Sequence, residues 1–295
     1  MTRSATIRWV CCAFVMLLST ISLASGQTLT PDADGFIVAN PEDLQPPEGM
    51  TEAQQRARLD TLAKLNEIDM AKNPGNSELA ARISSYELAY RMQGCAPEAV
   101  DTSAESDATK KLYGLDNQIT EPFGRQCLMA RRLVERGVRF VQLFHGGLGV
   151  QNTDTWDAHS NLKENHTQHA TETDLPIAGL LTDLKALGLL DSTLIVWHAE
   201  FGRMPISQRG VGRDHNPGAM TGWMAGAGIQ GGQVIGATDE LGLWATENRL
   251  HVHDLHATVL HLLSIHNLDL IYRYKGRPES PTINEGAAYT KITSG

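Results

Sequence analysis

The segment TLIVWHAE, residues 193–200, decides the predicted fold of this chain. Its first five residues are apolar or β-branched, which predicts a strand buried on both faces, because a half-exposed strand alternates polar and apolar positions. A helical pattern, Asn161–Leu187, precedes this strand, and Pro176 predicts a bend or a restart within it. A second short strand, Val138–Phe144, precedes the helix. Strand, crossover helix and strand predict a parallel βαβ unit with a right-handed connection.

The same pattern continues on both sides of this unit. A helix is predicted from Pro122 to Gly137, a further strand at Ala219–Ala225 and a helix from Asp254 to Leu263. We therefore expect an α/β fold in which helices cover both faces of a mainly parallel sheet.

Two amphipathic helices are predicted before this α/β region. Thr51 and Gln54 form a capping box at the start of the first, Thr51–Lys72, and Ser77–Met92 is the second. A Pro-Gly turn joins them, which predicts an N-terminal αα-hairpin whose apolar faces pack in the core. The segment between Cys95 and Gln118 is polar and reads as a loop.

The first 26 residues have the composition of a signal peptide. Arg3 and Arg8 are followed by an apolar run, Trp9–Ala24, and by the small residues of a cleavage site. This predicts export to the periplasm, the cell surface or the medium, with an uncleaved membrane anchor as the alternative. After cleavage no membrane span is expected. The predicted division is 1–26 signal peptide, 27–50 extended lead-in, 51–280 main domain and 281–295 C-terminal tail.

Composition restricts the classes of function. The 295 residues include 25 basic and 34 acidic ones, a net charge of -9, which argues against a nucleic-acid binder. Cleavage would leave two cysteines, Cys95 and Cys127, which form either one disulfide or two buried thiols. No cysteine framework or Cys-x-x-Cys metal site is present in the sequence.

All 11 histidines lie between His145 and His266, and the first cluster follows the Val138 strand. Asp157 and His159 are two residues apart, so an extended loop either directs both side chains at one cation or simply exposes them to water. His166 lies three residues from His169 on one face of a predicted helix. It is either a further metal ligand or a polar residue on the surface.

Two further clusters follow the later predicted elements. Glu200 lies at the carboxyl end of the buried strand, where an acid needs an ion-pair partner or a metal. Arg203 and Arg213 either pair with it or hold an anionic substrate, and His215 lies beside them. In the third cluster, His253 and His256 lie near the start of a predicted helix. Their side chains either face a site or are polar groups at the helix end.

Five segments together resemble one bacterial family. They are FGRQCLMARRLVERGVRFVQ at 123–142, WDAH at 156–159, EFGR at 200–203, GRDHNP at 212–217 and HVHDLHAT at 251–258. From Asp43 to Arg277 the chain resembles the family called domain of unknown function 1501, DUF1501. That family is sulfatase-like and resembles the alkaline phosphatase superfamily of metal-dependent phosphate and sulfate ester hydrolases.

The resemblance implies a metal site and a substrate class. By comparison, Asp157, His159 and His215 would hold one divalent ion, which would be zinc, manganese or calcium, and Glu200 would lie at a second. Arg203 and Arg213 would be the catalytic cations that stabilise charge on a small anionic ester. His166, His253 and His256 are further candidates for the site.

The chain also departs from the family pattern. Family members carry a longer N-terminal portion with the first metal-binding acid and the nucleophile region, and no such segment is found before Thr51. The sequence thus predicts a partial sulfatase-like domain, either an ester hydrolase or a non-catalytic metal- or anion-binding domain. A purely structural protein is the third alternative. Sheet edges left by the missing portion predict self-association.

Overall fold

The computed structural model of the chain describes residues 8–13, 49–72, 99–146, 155–208, 210–274, 276–283 and 285–293. The chain forms two compact units. Residues 1–37, 102–270 and 280–295 make up the first unit, and residues 38–101 and 271–279 make up the second. All the candidate site residues belong to the first unit.

Both helices and strands occur along the described part of the chain. The helices are α1 (Glu52–Lys72), α2 (Asp107–Leu112), α3 (Glu121–Glu135), α4 (Leu162–Ala186) and α5 (Val252–Leu262). The strands are β1 (Arg8–Ala13), β2 (Gln142–Leu143), β3 (Thr193–His198), β4 (Gly202–Arg203), β5 (His215–Asn216), β6 (Gly222–Ala225), β7 (Ala237–Thr238), β8 (Ala245–Glu247), β9 (Tyr272–Tyr274) and β10 (Arg277–Glu279). Short 3-10 turns occupy Leu190–Ser192 and Thr290–Ile292.

The main sheet has four strands in the order β2-β1-β3-β6. β1 pairs in parallel with β2 and with β3, while β6 runs antiparallel to β3. The expectation that the strand at 219–225 continues a parallel pattern is therefore wrong. The other three described sheets are two-stranded and antiparallel. The coarse prediction of a mixed helix-and-strand protein is confirmed, whereas a mainly parallel, alkaline-phosphatase-like sheet stays a prediction.

β3 is buried on both faces, as its apolar run predicts. Ile195 packs in a cluster with residues of α3 and α4, among them Leu128 and Leu180. The alternate residues Leu194 and Val196 pack in a second cluster that contains Leu262 of α5. Because successive side chains of a strand point to opposite faces, one short strand holds α3 and α4 on one side and α5 on the other.

The long helix α4 runs without interruption through Pro176. The predicted restart is wrong, and the buried ring of Pro176 lies inside a single 25-residue helix. The predicted strand Val138–Phe144 shortens to β2, and the predicted loop after Cys95 contains α2. None of the described helices is long and apolar enough to cross a bilayer.

The capping box of α1 is confirmed. The Thr51 backbone donates to Gln54 Oε1 at 2.9 Å, and the Gln54 backbone donates to Thr51 Oγ1 at 3.2 Å. The predicted apolar face of α1 is exposed in the described part of the chain, with Leu62, Leu65 and Ile68 all more than half exposed. The second predicted helix, Ser77–Met92, lies outside the described residues, as do Cys95 and its predicted pairing.

A buried arginine ties α3 to its neighbours. Arg131 lies 2.9 Å from Glu105, 2.8 Å from Glu135 and 3.0 Å from Asp183, and its side chain is only 8% exposed. The Tyr113 hydroxyl donates to the same Asp183 carboxylate at 2.9 Å. A buried guanidinium with three carboxylates around it is compensated for the loss of its hydration, so this cluster holds α3 on α4.

Candidate metal centre

A pair of two-residue antiparallel strands and a neighbouring loop build the candidate site. β4 and β5 pair antiparallel, so that Arg203 lies opposite His215. The loop carrying Asp157 and His159 lies alongside, because the Arg213 backbone donates to the Ala158 carbonyl at 3.0 Å. The two segments, distant in sequence, thus meet through backbone hydrogen bonds, and their side chains converge on one point.

Gly212 permits the close contact between these segments. A Cβ atom at this position would lie 1.9 Å from the His159 carbonyl oxygen, well inside van der Waals contact. The sequence GRDHNP therefore needs glycine as its first residue here, for space rather than for backbone freedom.

Three ligand atoms form what we call the metal triangle: Asp157 Oδ1, His159 Nε2 and His215 Nε2. The two imidazole nitrogens are 3.2 Å apart. Asp157 Oδ1 lies 2.9 Å from His215 Nε2 and 3.3 Å from His159 Nε2. Of the four residues that the family resemblance implies as metal ligands, the structure brings these three together.

Asp214 settles the tautomer of His159. Its Oδ1 lies 3.0 Å from His159 Nδ1, and an ionised carboxylate only accepts, so Nδ1 carries the proton. The Nε2 lone pair of the neutral ring then faces into the metal triangle. A carboxylate behind a metal-binding histidine is the usual way in which proteins orient such a ligand.

Both carboxylates of this site are held ionised. Partial burial opposes ionisation of Asp157, but its hydrogen bonds to His215 and Arg203 and the charge of Arg203 outweigh this and lower the pKa of the carboxyl. The hydrogen bond from the Gln208 backbone, and then the one from His159, lower the pKa of the Asp214 carboxyl.

The residues of the metal triangle fit a divalent ion. Ligand atoms about 2.0–2.1 Å from a tetrahedral zinc ion lie about 3.3 Å apart, close to the separations found here. Two imidazoles and one carboxylate are ligands that zinc accepts, whereas calcium takes oxygen ligands. The Asp157 and His215 side chains are 46% and 43% exposed, which leaves room for a fourth ligand from solvent or substrate.

The two predicted arginines have different surroundings. Arg203 donates from Nη1 to Asp157 Oδ1 at 2.7 Å and from Nη2 to the Trp156 carbonyl at 3.3 Å. Its ion pair is therefore with Asp157 rather than with Glu200. Arg213 donates from Nη1 to the neighbouring Gly212 carbonyl at 2.7 Å.

Glu200 does not join the metal triangle. Strand β3 ends at His198, and Glu200, two residues further, is exposed rather than buried at the strand end. Among the residues that the structure describes, only two groups have metal-ligand spacing, and Glu200 belongs to neither. The expectation of a buried acid at this position is wrong.

The third histidine cluster also lies apart from the metal triangle. His253 Nδ1 is 3.3 Å from Glu285 Oε2, and burial, followed by the charges of His198 and His253, lowers the pKa of His256. Asp254 completes a capping box with His251, as the backbone N–H of His251 donates to Asp254 Oδ2 at 2.7 Å. The start of α5 is thus explained by helix capping.

His145, His169 and Glu172 form a second cluster. The sequence analysis placed both histidines in the first cluster and missed Glu172. His169 and Glu172 lie three apart on α4, a spacing that places them on one helix face, so the signal was present. Trp156 Nε1 donates to His145 Nδ1 at 3.0 Å, and indole nitrogens only donate. The neutral His145 ring therefore carries its proton on Nε2, which faces Glu172, and it has no lone pair left for a metal.

Asp214 was also missed, although it adjoins the predicted ligand His215. The sequence gives no sign that its partner would be His159, 55 residues away. His166 was found but has a different role from the one implied, as its Nε2 lies 3.2 Å from the Trp156 carbonyl oxygen.

Comparison with known proteins gives one match. A family model described as "Protein of unknown function (DUF1501)" matches residues 22–292, which include all the residues of the metal triangle. No curated protein and no solved structure matches the chain significantly. The description of the family assigns no activity, so the function has to be argued from the site.

Proposed function

This chain belongs to the DUF1501 family of proteins of unknown function, and we propose that its metal triangle binds one divalent metal ion and acts on a small anionic ester. Zinc is the ion that we expect here, in preference to calcium. The observation that carries the proposal is the contact between Asp214 and His159. It leaves an imidazole lone pair facing His215 Nε2 at 3.2 Å and Asp157 Oδ1 at 3.3 Å. In the metal-free chain a proton on His215 Nε2 bonds to Asp157 Oδ1, and a divalent ion would take the place of this proton.

The reaction class follows from the donor set. A divalent ion bound here supplies a Lewis acid for a phosphoryl or sulfuryl oxygen. Arg203 pairs with Asp157 Oδ1, the same oxygen that faces the two imidazoles. The backbone of Arg213 is hydrogen-bonded to Ala158. We propose that the Arg213 guanidinium stabilises negative charge on the ester. The resemblance to sulfatase-like hydrolases supports phosphate or sulfate ester hydrolysis as the reaction.

A second candidate function is metal or anion binding without turnover. It is favoured by the surroundings of Arg203, whose guanidinium is bonded to Asp157 and to the Trp156 carbonyl. Of the two arginines expected to hold substrate, Arg203 is already paired with a carboxylate, whereas the Arg213 side chain is bonded to the neutral Gly212 carbonyl. Export by the N-terminal segment and self-association are proposals that accompany either function. Cleavage after residue 26 would remove β1, which lies between β2 and β3 in the main sheet.

Metal content tests the proposal. The full chain is dialysed against a weak chelator with zinc present, beside His215→Ala and the control His266→Ala, whose histidine is 63% exposed. We expect about one zinc per chain in the wild type and the control, and none in His215→Ala. Wild-type protein that is folded and free of metal would contradict the proposal.

Turnover then separates the two candidates. Zinc-loaded wild type is incubated with p-nitrophenyl phosphate and, separately, p-nitrophenyl sulfate. Hydrolysis of either that is lost in His215→Ala supports the enzyme. Stoichiometric metal without hydrolysis of either ester supports the binding protein.

A further inference from the structure

The second histidine cluster is connected to the metal triangle through one tryptophan. We call Trp156, His145, His169 and Glu172 the indole brace. Trp156 Nε1 donates to His145 Nδ1 at 3.0 Å, and His145 Nε2 in turn lies 3.1 Å from Glu172 Oε2. His169 Nδ1 approaches the same oxygen at 2.8 Å. One carboxylate therefore receives two imidazole N–H groups, and one of these rings holds the indole.

Burial preserves the proton pattern of the brace. His169 is 2% exposed, and the His145 side chain is 12% exposed. Burial lowers the pKa of His145 to about 4, against the opposing charge of Glu172, so this ring stays neutral at physiological pH. Burial alone would raise the pKa of Glu172, but hydrogen bonds from His169 and Gln168 outweigh it and lower that pKa.

Trp156 is held at its backbone as well as at its indole ring. Its carbonyl oxygen lies 3.3 Å from Arg203 Nη2 and 3.2 Å from His166 Nε2. The rings of His166 and His169 lie against the indole at 5.3 and 5.2 Å between centroids. The next residue along the chain is Asp157, which supplies the oxygen of the metal triangle.

We propose that the indole brace fixes the backbone at Trp156 so that Asp157 Oδ1 stays within reach of His159 and His215, and that it thereby sets the metal affinity of the metal triangle. This inference rests on the proposed metal binding. His145, His169 and Glu172 act through Trp156 and are positioning residues. The brace is anchored on α4, so a rigid helix positions a ligand that belongs to a loop.

We expect an effect similar to that of removing a group behind a metal ligand, transmitted here through the backbone of Trp156. Loss of such a partner costs about 10–100-fold in metal affinity. Glu172→Gln removes the charge that receives both imidazoles. Trp156→Phe removes the indole N–H together with the five-membered ring, and it keeps a phenyl ring at this position. Glu164→Gln is the matched control, because Glu164 is an exposed acid on the same helix.

Zinc affinity and an NMR signal of the metal-free full chain are measured together. We expect Glu172→Gln and Trp156→Phe to bind zinc at least tenfold more weakly than wild type, with melting temperatures that stay close to it. In Glu172→Gln the indole N–H resonance of Trp156 should move and exchange faster. Wild-type zinc affinity in both variants, with the indole resonance moved in Glu172→Gln, would overturn the inference.

A second readout separates this inference from the proposed function. If wild-type protein binds no zinc, the proposed function fails. The Cα chemical shift of Asp157 in the metal-free chain still tests whether the indole brace positions this residue. A shift that moves in Glu172→Gln and not in Glu164→Gln supports the brace. A shift unmoved in both overturns it.

Discussion

Replacing Gly212 by alanine puts a methyl group into space that backbone atoms already occupy. The new Cβ would lie 1.9 Å from the His159 carbonyl oxygen, 2.0 Å from its carbon and 2.5 Å from the Ser160 nitrogen. Cβ atoms in proteins essentially never approach closer than 3.0 Å, so the two segments must separate by at least 1.1 Å, from 1.9 to 3.0 Å. No side chain can rotate to relieve this contact, because its partners are backbone atoms.

The separation acts directly on the metal triangle. His159 belongs to the segment that is pushed away, and His215 lies on the segment that pushes. A metal site tolerates displacements of about 0.5 Å, roughly half of what Gly212→Ala imposes. We expect zinc affinity to fall at least tenfold and the free energy of unfolding to fall by about 1–3 kcal/mol from overpacking.

The assay combines urea unfolding of the metal-free chain with competitive zinc titration of the folded chain. Gly231→Ala is the control, because a Cβ at Gly231 meets nothing within 4 Å and its backbone is not left-handed. A Gly212→Ala variant with the affinity and stability of wild type would refute the close contact and, with it, the geometry of the site.

Three further predictions concern other parts of the molecule. Burial lowers the pKa of His145 to about 4, so between about pH 6.5 and 4 the unfolded chain binds more protons than the folded one. The free energy of unfolding therefore falls as the pH falls through this range. Urea unfolding at pH 7 and pH 5 should show this loss, and His145→Asn should make it smaller. Arg131→Met removes one ion-pair partner from Asp183 and one from Glu105. We expect the free energy of unfolding, measured in urea, to fall by about 3 kcal/mol. An unchanged unfolding midpoint would contradict a structural role for this cluster. Asp254→Ala removes the capping box of α5 and should lower the free energy of unfolding by about 1 kcal/mol. The zinc content should stay that of wild type. Loss of zinc would place Asp254 in the metal site.

The strands of this fold were predictable to different degrees. The apolar run of β3 predicts burial on both faces, and the structure confirms it, because side-chain hydrophobicity alone determines where such a strand lies. The direction of β6 was predicted wrongly, since the strand runs antiparallel to β3. Strand direction depends on how the intervening loop returns, and hydrophobic pattern carries no information about it.

Part of the candidate site was also readable from local spacing. Asp157 and His159 are two residues apart, a spacing that fits a shared cation or a solvated loop, and the family resemblance implied the shared cation. Glu200 shows the opposite outcome, since its place after a buried strand suggested a buried acid, and the chain turns outward two residues beyond β3. Where a strand ends and how the chain leaves it depend on packing around it.

What the sequence alone determined is therefore the set of local features: the buried strand, the capping box at Thr51, the Asp157 and His159 pair and the family to which the chain belongs. Only the tertiary structure decided the contacts across long separations. Asp214 orients His159, Arg203 pairs with Asp157, and Glu172 supports Trp156 through His145. Each of these depends on which loops the fold brings together, and a side chain carries no local mark of a partner that lies tens of residues away.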